Sequence, residues 1–338
     1  MLPVIICLFH RKVIWSAFLL LLSLGLFLTA VKIKKMSDRG YFLNTLGVLE
    51  TDPVRMSTVS SLVDDQNVFF DLPVCSFRPY LLILVASSPE NFDRRAAIRR
   101  TWGRSSLRML RNNLSTVTMF LVGRSTDSKF LNILVENEKI SSGDLVVGDY
   151  ADTYRNLTLK IIHGARWAHR YCQSSYLLKT DDDCYVNVAL LLKFLSRSNK
   201  MHKGLYVGRK RSRAKVVRDP KSKWYVSKEQ FSPSVYPDYV SGIGYIVSAD
   251  VLSVFVDETT HYAPFPNEDA FVGTVLRRRG VKPIHSSRFS ISSGPWRVCN
   301  FLYIFVLHRI PAEYQRKMQA LSDMALVECP FTPWDEWD

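Results

Sequence analysis

The chain has 338 residues, 47% of them hydrophobic, and a formal net charge of +14 at pH 7 from 45 lysines and arginines against 31 aspartates and glutamates. That apolar content excludes a disordered or low-complexity chain, and the length suits one large domain or two closely joined halves behind an N-terminal extension. The positive charge would ordinarily raise nucleic acid as a partner, but a membrane-directed N-terminus argues against it, and none is expected.

Val13 to Val31 is uninterrupted by charge, follows Arg11 and Lys12, and stops before Lys32, Lys34 and Lys35. Such a run can span the ~30 Å hydrocarbon core of a bilayer, and it is longer than the roughly 7–15-residue apolar core of a cleaved signal peptide. It reads as an uncleaved signal anchor over 13–31, with a cytosolic tail over 1–12, a stem rich in Ser, Asp, Thr and Val over 32–74, and a globular luminal part over 75–338. Two sequons, Asn113-Leu-Ser115 and Asn156-Leu-Thr158, support the luminal placement. Apart from Cys7, at or before the span, the cysteines are Cys75, Cys172, Cys184, Cys299 and Cys329. They allow two disulfides and leave one thiol over, and no CxxC spacing suggests structural zinc.

Tyr80 to Ala86 is a continuous apolar run between Pro79 and Ser87-Ser88-Pro89, which predicts a strand buried on both faces. Asp93 is placed to cap a helix over Arg94 to Trp102, which Gly103 stops. Val117 to Val122 and Asp144 to Val147 read as the next strands, and Thr158 to Tyr171 as a helix leading into a strand from Tyr176. This βαβ order predicts a largely parallel sheet. At the end of that last strand stand Asp181, Asp182 and Asp183. Ligands of open α/β sheets bind beyond the carboxyl ends of the strands, and hard divalent cations prefer carboxylate oxygen. The triplet therefore reads as a metal-nucleotide site, with a solvated acidic turn as the bland alternative.

Further on, Ala189 to Leu195 reads as a helix, Leu205 to Val207 and Trp224 to Val226 as short strands, and Tyr239 to Val247 as a strand whose glycines predict close backbone approach. The basic run from Arg209 through Lys223 reads as a solvated loop that, beside an active site, could attract an acidic glycan or steer a nucleotide-sugar. Asn267 is a candidate cap for a helix opening on Glu268-Asp269, an acidic pair suited to a first turn, and closing on Arg277 to Arg279 before Gly280. No GxGxxG or Walker pattern occurs, so the phosphate-binding devices of dinucleotide and P-loop proteins are missing.

Six blocks carry a resemblance: Arg94-Arg95-Ala-Ala-Ile98-Arg99-Arg100-Thr101-Trp102-Gly103, Asp152-Thr-Tyr154-Arg-Asn156-Leu-Thr158-Leu-Lys160, Lys179-Thr-Asp-Asp-Asp183, Ser222-Lys-Trp224-Tyr225, Tyr236-Pro-Asp-Tyr-Val240-Ser-Gly242-Ile-Gly244-Tyr245 and Glu268-Asp269-Ala-Phe-Val-Gly273. In this order they resemble the motifs of the Golgi β1,3-galactosyltransferase and β1,3-N-acetylglucosaminyltransferase family. The match runs from about Pro79 to Cys329, and the anchor and stem suit the family's single-pass type II layout in the Golgi membrane.

The resemblance implies a Rossmann-like GT-A fold, a Mn²⁺ cofactor, and inversion of the α-linked sugar of a UDP donor into a β1,3 linkage on an oligosaccharide, glycoprotein or glycolipid acceptor. It implies that Asp183 and His308 bind the metal, that Asp181, Asp182 and Arg99 hold the donor, that Asp269 is the general base, and that Glu268 and Trp224 position the acceptor. By itself His308, ending the apolar run Phe301 to Leu307, reads as a satisfied structural residue, and His285 has no family counterpart. Val240 stands where relatives often have Cys, which implies that one family disulfide is missing. Cys184 stands where relatives usually carry an apolar residue, and reads either as a small buried side chain or as a free thiol beside the metal. Lys179-Thr180 resembles the galactosyltransferase branch, so galactose transfer from UDP-galactose is the implied reaction. A UDP-GlcNAc or UDP-GalNAc donor is one alternative, and an inactive glycan-binding or partner-stabilising relative is another.

Overall fold

The computed structural model describes residues 73–104, 106–109, 114–198, 202–291, 294, 296–330 and 337. The expected tail, anchor at 13–31, nearly all of the stem, and Asn113 lie outside the described residues. Among the described residues no helix is long and apolar enough to cross a membrane.

The first half of the fold alternates strand and helix: β1 (Leu81–Ala86), α1 (Phe92–Arg100), β2 (Ser106–Met109), β3 (Leu114–Arg124), α2 (Lys129–Ser142), β4 (Leu145–Ala151), α3 (Leu157–Tyr171) and β5 (Tyr176–Asp181). The second half adds β6 (Cys184–Val186), α4 (Val188–Ser198), β7 (Tyr206–Arg211), β8 (Tyr239–Ser248), α5 (Ala249–Glu258), α6 (Glu268–Arg278), β9 (Ile284–His285), β10 (Phe289–Ser290), β11 (Val306–His308) and α7 (Gln315–Glu328). Every residue of β1 is buried. It lies in parallel between β3 and β5, and β4 continues the parallel pairing beyond β3. The predicted parallel sheet is therefore present, but it turns mixed past β5, where β8 and then β7 join antiparallel.

Alternate residues of β1 face two separate cores. Leu81, Ile83 and Val85 pack with Ile98, Leu191 and Met318 of α1, α4 and α7. Leu82, Leu84 and Ala86 pack with Ile161, Val251 and Phe271 of α3, α5 and α6. The period-two alternation of a strand thus builds a three-layer sandwich from an uninterrupted apolar run. α2 escapes a strand reading because its apolar residues are mostly solvent-facing, with Phe130 67% and Ile140 81% exposed. Its ends are nonetheless signalled: the Ser128 side chain accepts from the Leu131 amide, and Gly143 takes the left-handed conformation at φ 68°.

Some predicted details shift. Asp93 sits in the first turn of α1, and Asn91 holds the cap position. Trp224 to Val226 is not a strand: Tyr225 makes one isolated bridge to Val217. The loop around it is held instead by Arg218, whose guanidinium donates to the carbonyls of Val226 at 2.8 Å, Phe231 at 2.6 Å and Pro233 at 2.7 Å. One member of the basic run is thereby a loop clamp. Asn267 occupies the cap position of α6 without a side-chain cap bond. The apolar run ending at His308 starts as a 3-10 turn over Val298–Leu302, and only Val306–His308 is strand.

The cysteines divide as the count predicts, with disulfides Cys75–Cys172 and Cys299–Cys329 and Cys184 free and buried. The close approach predicted for the glycines is seen where α6 crosses β8: a Cβ on Gly273 would lie 2.3 Å from the Cβ of Tyr239. Gly273→Ala is expected to cost about 1–3 kcal/mol through overpacking, read as a fall in melting temperature. An unchanged melting temperature would mean that α6 can move off the sheet without loss.

Candidate active site

β5 runs from an apolar start to three carboxylates, and strand alternation sends their side chains different ways. Lys179 and Asp181 share one face. The Asp181 side chain is 32% exposed and pairs with Lys179 Nζ at 2.8 Å. Asp182 is turned into the loop after β1. Its Oδ2 accepts from Ser87 Oγ and Asn91 Nδ2, both at 2.8 Å, and its Oδ1 accepts from Arg94 Nη1 at 2.9 Å. Both oxygens of Asp182 are therefore occupied by protein.

Asp183 lies at the mouth of a second, three-stranded sheet ordered β10-β11-β6. Antiparallel pairing of β11 with β6 puts His308 opposite Cys184, and this brings His308 Nε2 to 3.4 Å from Asp183 Oδ2. The next residue, Arg309, has φ 63°, a left-handed turn, after which the Ile310 amide donates to the Asp183 carbonyl at 2.7 Å. Burial acts to raise the Asp183 carboxyl, but the hydrogen bond and charge of His308 and the charge of Arg94 outweigh it and hold it below the usual range.

The ligand atoms of Asp183, Cys184 and His308 lie within 4.8 Å of one another. A half-buried carboxylate oxygen and an imidazole nitrogen form a donor set suited to Mn²⁺ or a similar divalent cation. Cys184 does not share that chemistry. Its sulfur donates to the Ile243 carbonyl at 3.3 Å, and burial pushes its thiol well above the usual range, so it stays protonated and inside the core.

α6 begins on Glu268 and Asp269. Glu268 is 3% exposed. Its Oε1 accepts from the Tyr245 hydroxyl at 2.9 Å and its Oε2 faces Lys179 Nζ at 3.5 Å. Asp269 Oδ2 accepts from the Gly242 amide at 3.2 Å and its Oδ1 from the Ala270 amide at 2.8 Å. Glycine at 242 is required by this packing, because a Cβ there would lie 2.9 Å from Glu268 Oε2.

Burial drives the chemistry of both acids. It raises Glu268 to about 7, against the opposing charge of Lys179 and with help from Asp269 and Asp181. It raises Asp269 as well, against the amide hydrogen bonds of Gly242 and Ala270. A carboxylate with a raised pKa and a fixed orientation is a stronger proton acceptor than a solvated one. Tyr154 closes the rim: burial and the charges of Asp269, Glu268 and Asp181 raise its hydroxyl. Lys223 Nζ sits 5.2 Å from the Tyr154 ring centre and 4.9 Å from that of Trp224, which is 49% exposed.

The structure therefore links Asp181 to Glu268 and Asp269 through Lys179, and pairs His308 with Asp183 two residues beyond Asp181, with Trp224 beside Lys223 and Tyr154. Arg99 is placed elsewhere. Its Nε bonds Asp144 and its Nη1 Glu138, both at 2.7 Å, and its Nη2 bonds Asp144 at 2.8 Å. It sits in the last turn of α1, whereas Arg94 is in the first turn, beside the strand end where ligands bind. Position in the helix was the signal that distinguishes them. Lys179 and Tyr245 also escaped the reading, although a lysine inside an apolar strand already calls for buried acid partners. His285 accepts from the Lys210 amide at 3.2 Å at the sheet edge. The expectation of a glycan at Asn156 meets a half-buried amide donating to the Ala151 carbonyl at 3.0 Å, with the sequon's Thr158 hydroxyl bonded to the Phe265 carbonyl in the interior.

The family model described as galactosyltransferase matches residues 93–287, well over half of the chain and including the Asp triplet and Glu268-Asp269. The chain belongs to the galactosyltransferase family. This galactosyltransferase-family chain is 33% identical over 292 residues to beta-1,3-galactosyltransferase 1 of Mus musculus, covering 84% of this chain and 85% of that one. It is 34% identical over 270 residues to beta-1,3-galactosyltransferase 5 of Homo sapiens, covering 78% and 86%. To beta-1,3-galactosyltransferase 4 of Mus musculus it is 31% identical over 288 residues, covering 76% of each. As a member of a glycosyltransferase family, the chain has its acidic site at the carboxyl ends of its strands, where the fold opens to ligand.

Proposed function

We propose that the protein is an inverting β1,3-galactosyltransferase that moves galactose from UDP-galactose to a terminal N-acetylhexosamine or related sugar of a glycan acceptor. The observation that carries this reading is one oriented, part-buried carboxylate, Asp269, fixed by the Gly242 and Ala270 amides, together with the Asp183-His308 carboxylate-imidazole pair at the end of β5. An inverting transfer needs one base opposite the leaving group and no covalent intermediate. Asp269 takes the proton of the acceptor hydroxyl as that oxygen attacks the anomeric carbon, and the Gly242 amide keeps its Oδ2 aimed. Glu268 and Trp224 position the acceptor. Asp181, with Asp182 behind it, holds the nucleoside side of the donor in the GT-A manner.

Asp183 and His308 would hold Mn²⁺, which when bound supplies Lewis-acid neutralisation of the departing diphosphate. The test is a panel of UDP-sugars with the full-length protein in detergent and a neutral N-acetylhexosaminide acceptor. Transfer from UDP-galactose with a β1,3 product is the expected result. Transfer only from UDP-GlcNAc or UDP-GalNAc would move the donor assignment, and glycan binding without turnover would favour an inactive relative.

The anchor at 13–31 and stem at 32–74 extend the proposal to a single-pass type II protein of the Golgi membrane. Two disulfides suit an oxidising lumen. Extraction of membranes at high pH is expected to leave the protein in the pellet, and release as a soluble species would overturn this placement.

A further inference from the structure

We infer that Lys179 is a positioning residue for the transfer: its ammonium ties Asp181 at the donor end to Glu268 at the acceptor end and sets the Glu268-Asp269 pair for proton acceptance. This rests on Asp269 as the base, as proposed above.

Lysine is almost never fully buried unless paired, and Lys179 is 1% exposed in the middle of the sheet. An ammonium has three donors and no acceptor. Those of Lys179 reach Asp181 Oδ1 at 2.8 Å, the Gly242 carbonyl at 2.5 Å and Glu268 Oε2 at 3.5 Å. All three partners belong to the cleft. Gly242 gives its carbonyl to Lys179 and its amide to Asp269, so one peptide segment connects the lysine with the base.

The groups around the acidic pair come from every neighbouring element. Lys179 and Asp181 face it from β5, Tyr206 from β7, Tyr239 and Tyr245 from β8, Tyr154 from the turn before α3 and Tyr236 from the segment before β8. Arg211 reaches this group by bonding Tyr239. Of the residues facing the pair directly, Lys179 is the cation; the rest are acids and phenols. Burial, with the charges of neighbouring acids, raises both carboxyls, and the charge of Lys179 opposes the rise in each. Loss of that charge would move both carboxyls further toward the protonated form, leaving less of the base free to accept the acceptor's proton.

Lys179→Met keeps the length and apolar stem while removing the charge. In the full-length protein its acid limb of transfer rate against pH is expected to move upward by about 1 pH unit or more, the effect of deleting an opposite charge at this range. Turnover lost at neutral pH is then partly recovered in alkaline buffer. A purely structural lysine would lower the rate at all pH values without moving the limb, and a folded Lys179→Met with the wild-type limb overturns the inference. Where turnover is too low for a profile, protonation of the pair is followed by carboxyl infrared absorption, with Asp269→Asn in the same background to assign the band; an unshifted titration overturns it equally.

If Lys179→Met does not fold, Lys179→Met/Glu268→Gln removes the buried pair together and is measured in the same way, with the shift expected to remain through Asp269. Failure of both variants to fold assigns Lys179 to stability and overturns the inference. Absence of transfer by the unmodified protein from every UDP-sugar would instead defeat the transferase reading, and this inference with it.

Discussion

Asp269→Asn is expected to lower turnover by about 10²–10⁴, the contribution of a positioned general base, while the melting temperature stays close to that of the unmodified protein, relief of the charge offsetting the loss of one amide acceptor. Asparagine keeps the size of the side chain and one of the two oxygens that accept from the Gly242 and Ala270 amides, but its amide nitrogen cannot accept from the other, and it takes up no proton. The stability side follows from the direction of the shift. Burial raises the Asp269 carboxyl in the folded state above its unfolded value. Such a group favours folding fully only below the unfolded carboxylate pKa of ~4, and that contribution is lost as pH rises through the folded value. At neutral pH the ionised, buried carboxylate therefore disfavours the folded state, and a neutral side chain relieves it. A residue serving only the dipole of α6 would behave oppositely, with roughly 0.3–1 kcal/mol of stability lost and the rate kept. Measuring transfer rate and melting temperature on one preparation separates the two, and near-normal turnover would remove Asp269 as base.

Asp183→Asn is expected to abolish most of the Mn²⁺-dependent affinity for UDP. Loss of a residue that merely supports a ligand typically costs 10–100-fold in metal affinity, so loss of a ligand itself should cost at least about 10²-fold. The neighbouring acids cannot substitute. Asp182 has both oxygens bonded to Ser87, Asn91 and Arg94, and Asp181 is paired with Lys179. His308→Ala should lower the affinity in the same assay while leaving metal-free folding intact. Calorimetry giving unchanged Mn²⁺-UDP affinity in Asp183→Asn would remove the metal assignment.

The parts of the fold most legible in the sequence are those whose residues report their own surroundings. Leu81–Ala86 is apolar throughout because both faces are covered, and Thr158 to Tyr171 has the period of a helix lying on a sheet. The acidic triplet announces the ligand end because charge after an apolar strand has no interior place to go. Less legible was everything decided by partners distant in the chain. Whether Arg94 or Arg99 reaches the triplet depends on which end of α1 faces the cleft, and both arginines look alike in sequence. Trp224 to Val226 has strand-forming residues, yet Arg218 gathers the nearby carbonyls and keeps the segment a loop. Ala189 to Leu195 reads as a helix within the observed Val188–Ser198, whereas Lys129–Ser142 exposes too many apolar residues for a stripe to indicate a buried face. Asp183 could be read as a ligand by resemblance, but its pairing with His308 depends on a three-residue strand that no periodicity would reveal.

That short strand sets the order in which the molecule can become competent. The triplet is translated more than a hundred residues before His308, and the stretch between includes β7, β8 and α6 with the rest of the cleft. A nascent chain can thus carry Asp181, Asp183, Glu268 and Asp269 while still lacking the imidazole opposite Asp183. The missing nitrogen arrives only when Val306–His308 zips onto Cys184–Val186 and the Cys299–Cys329 bridge fastens the final helix behind it. Competence to hold the proposed cation would accordingly be a property of the finished chain, because the residues after 305 supply both the imidazole and part of the core that covers one face of β1.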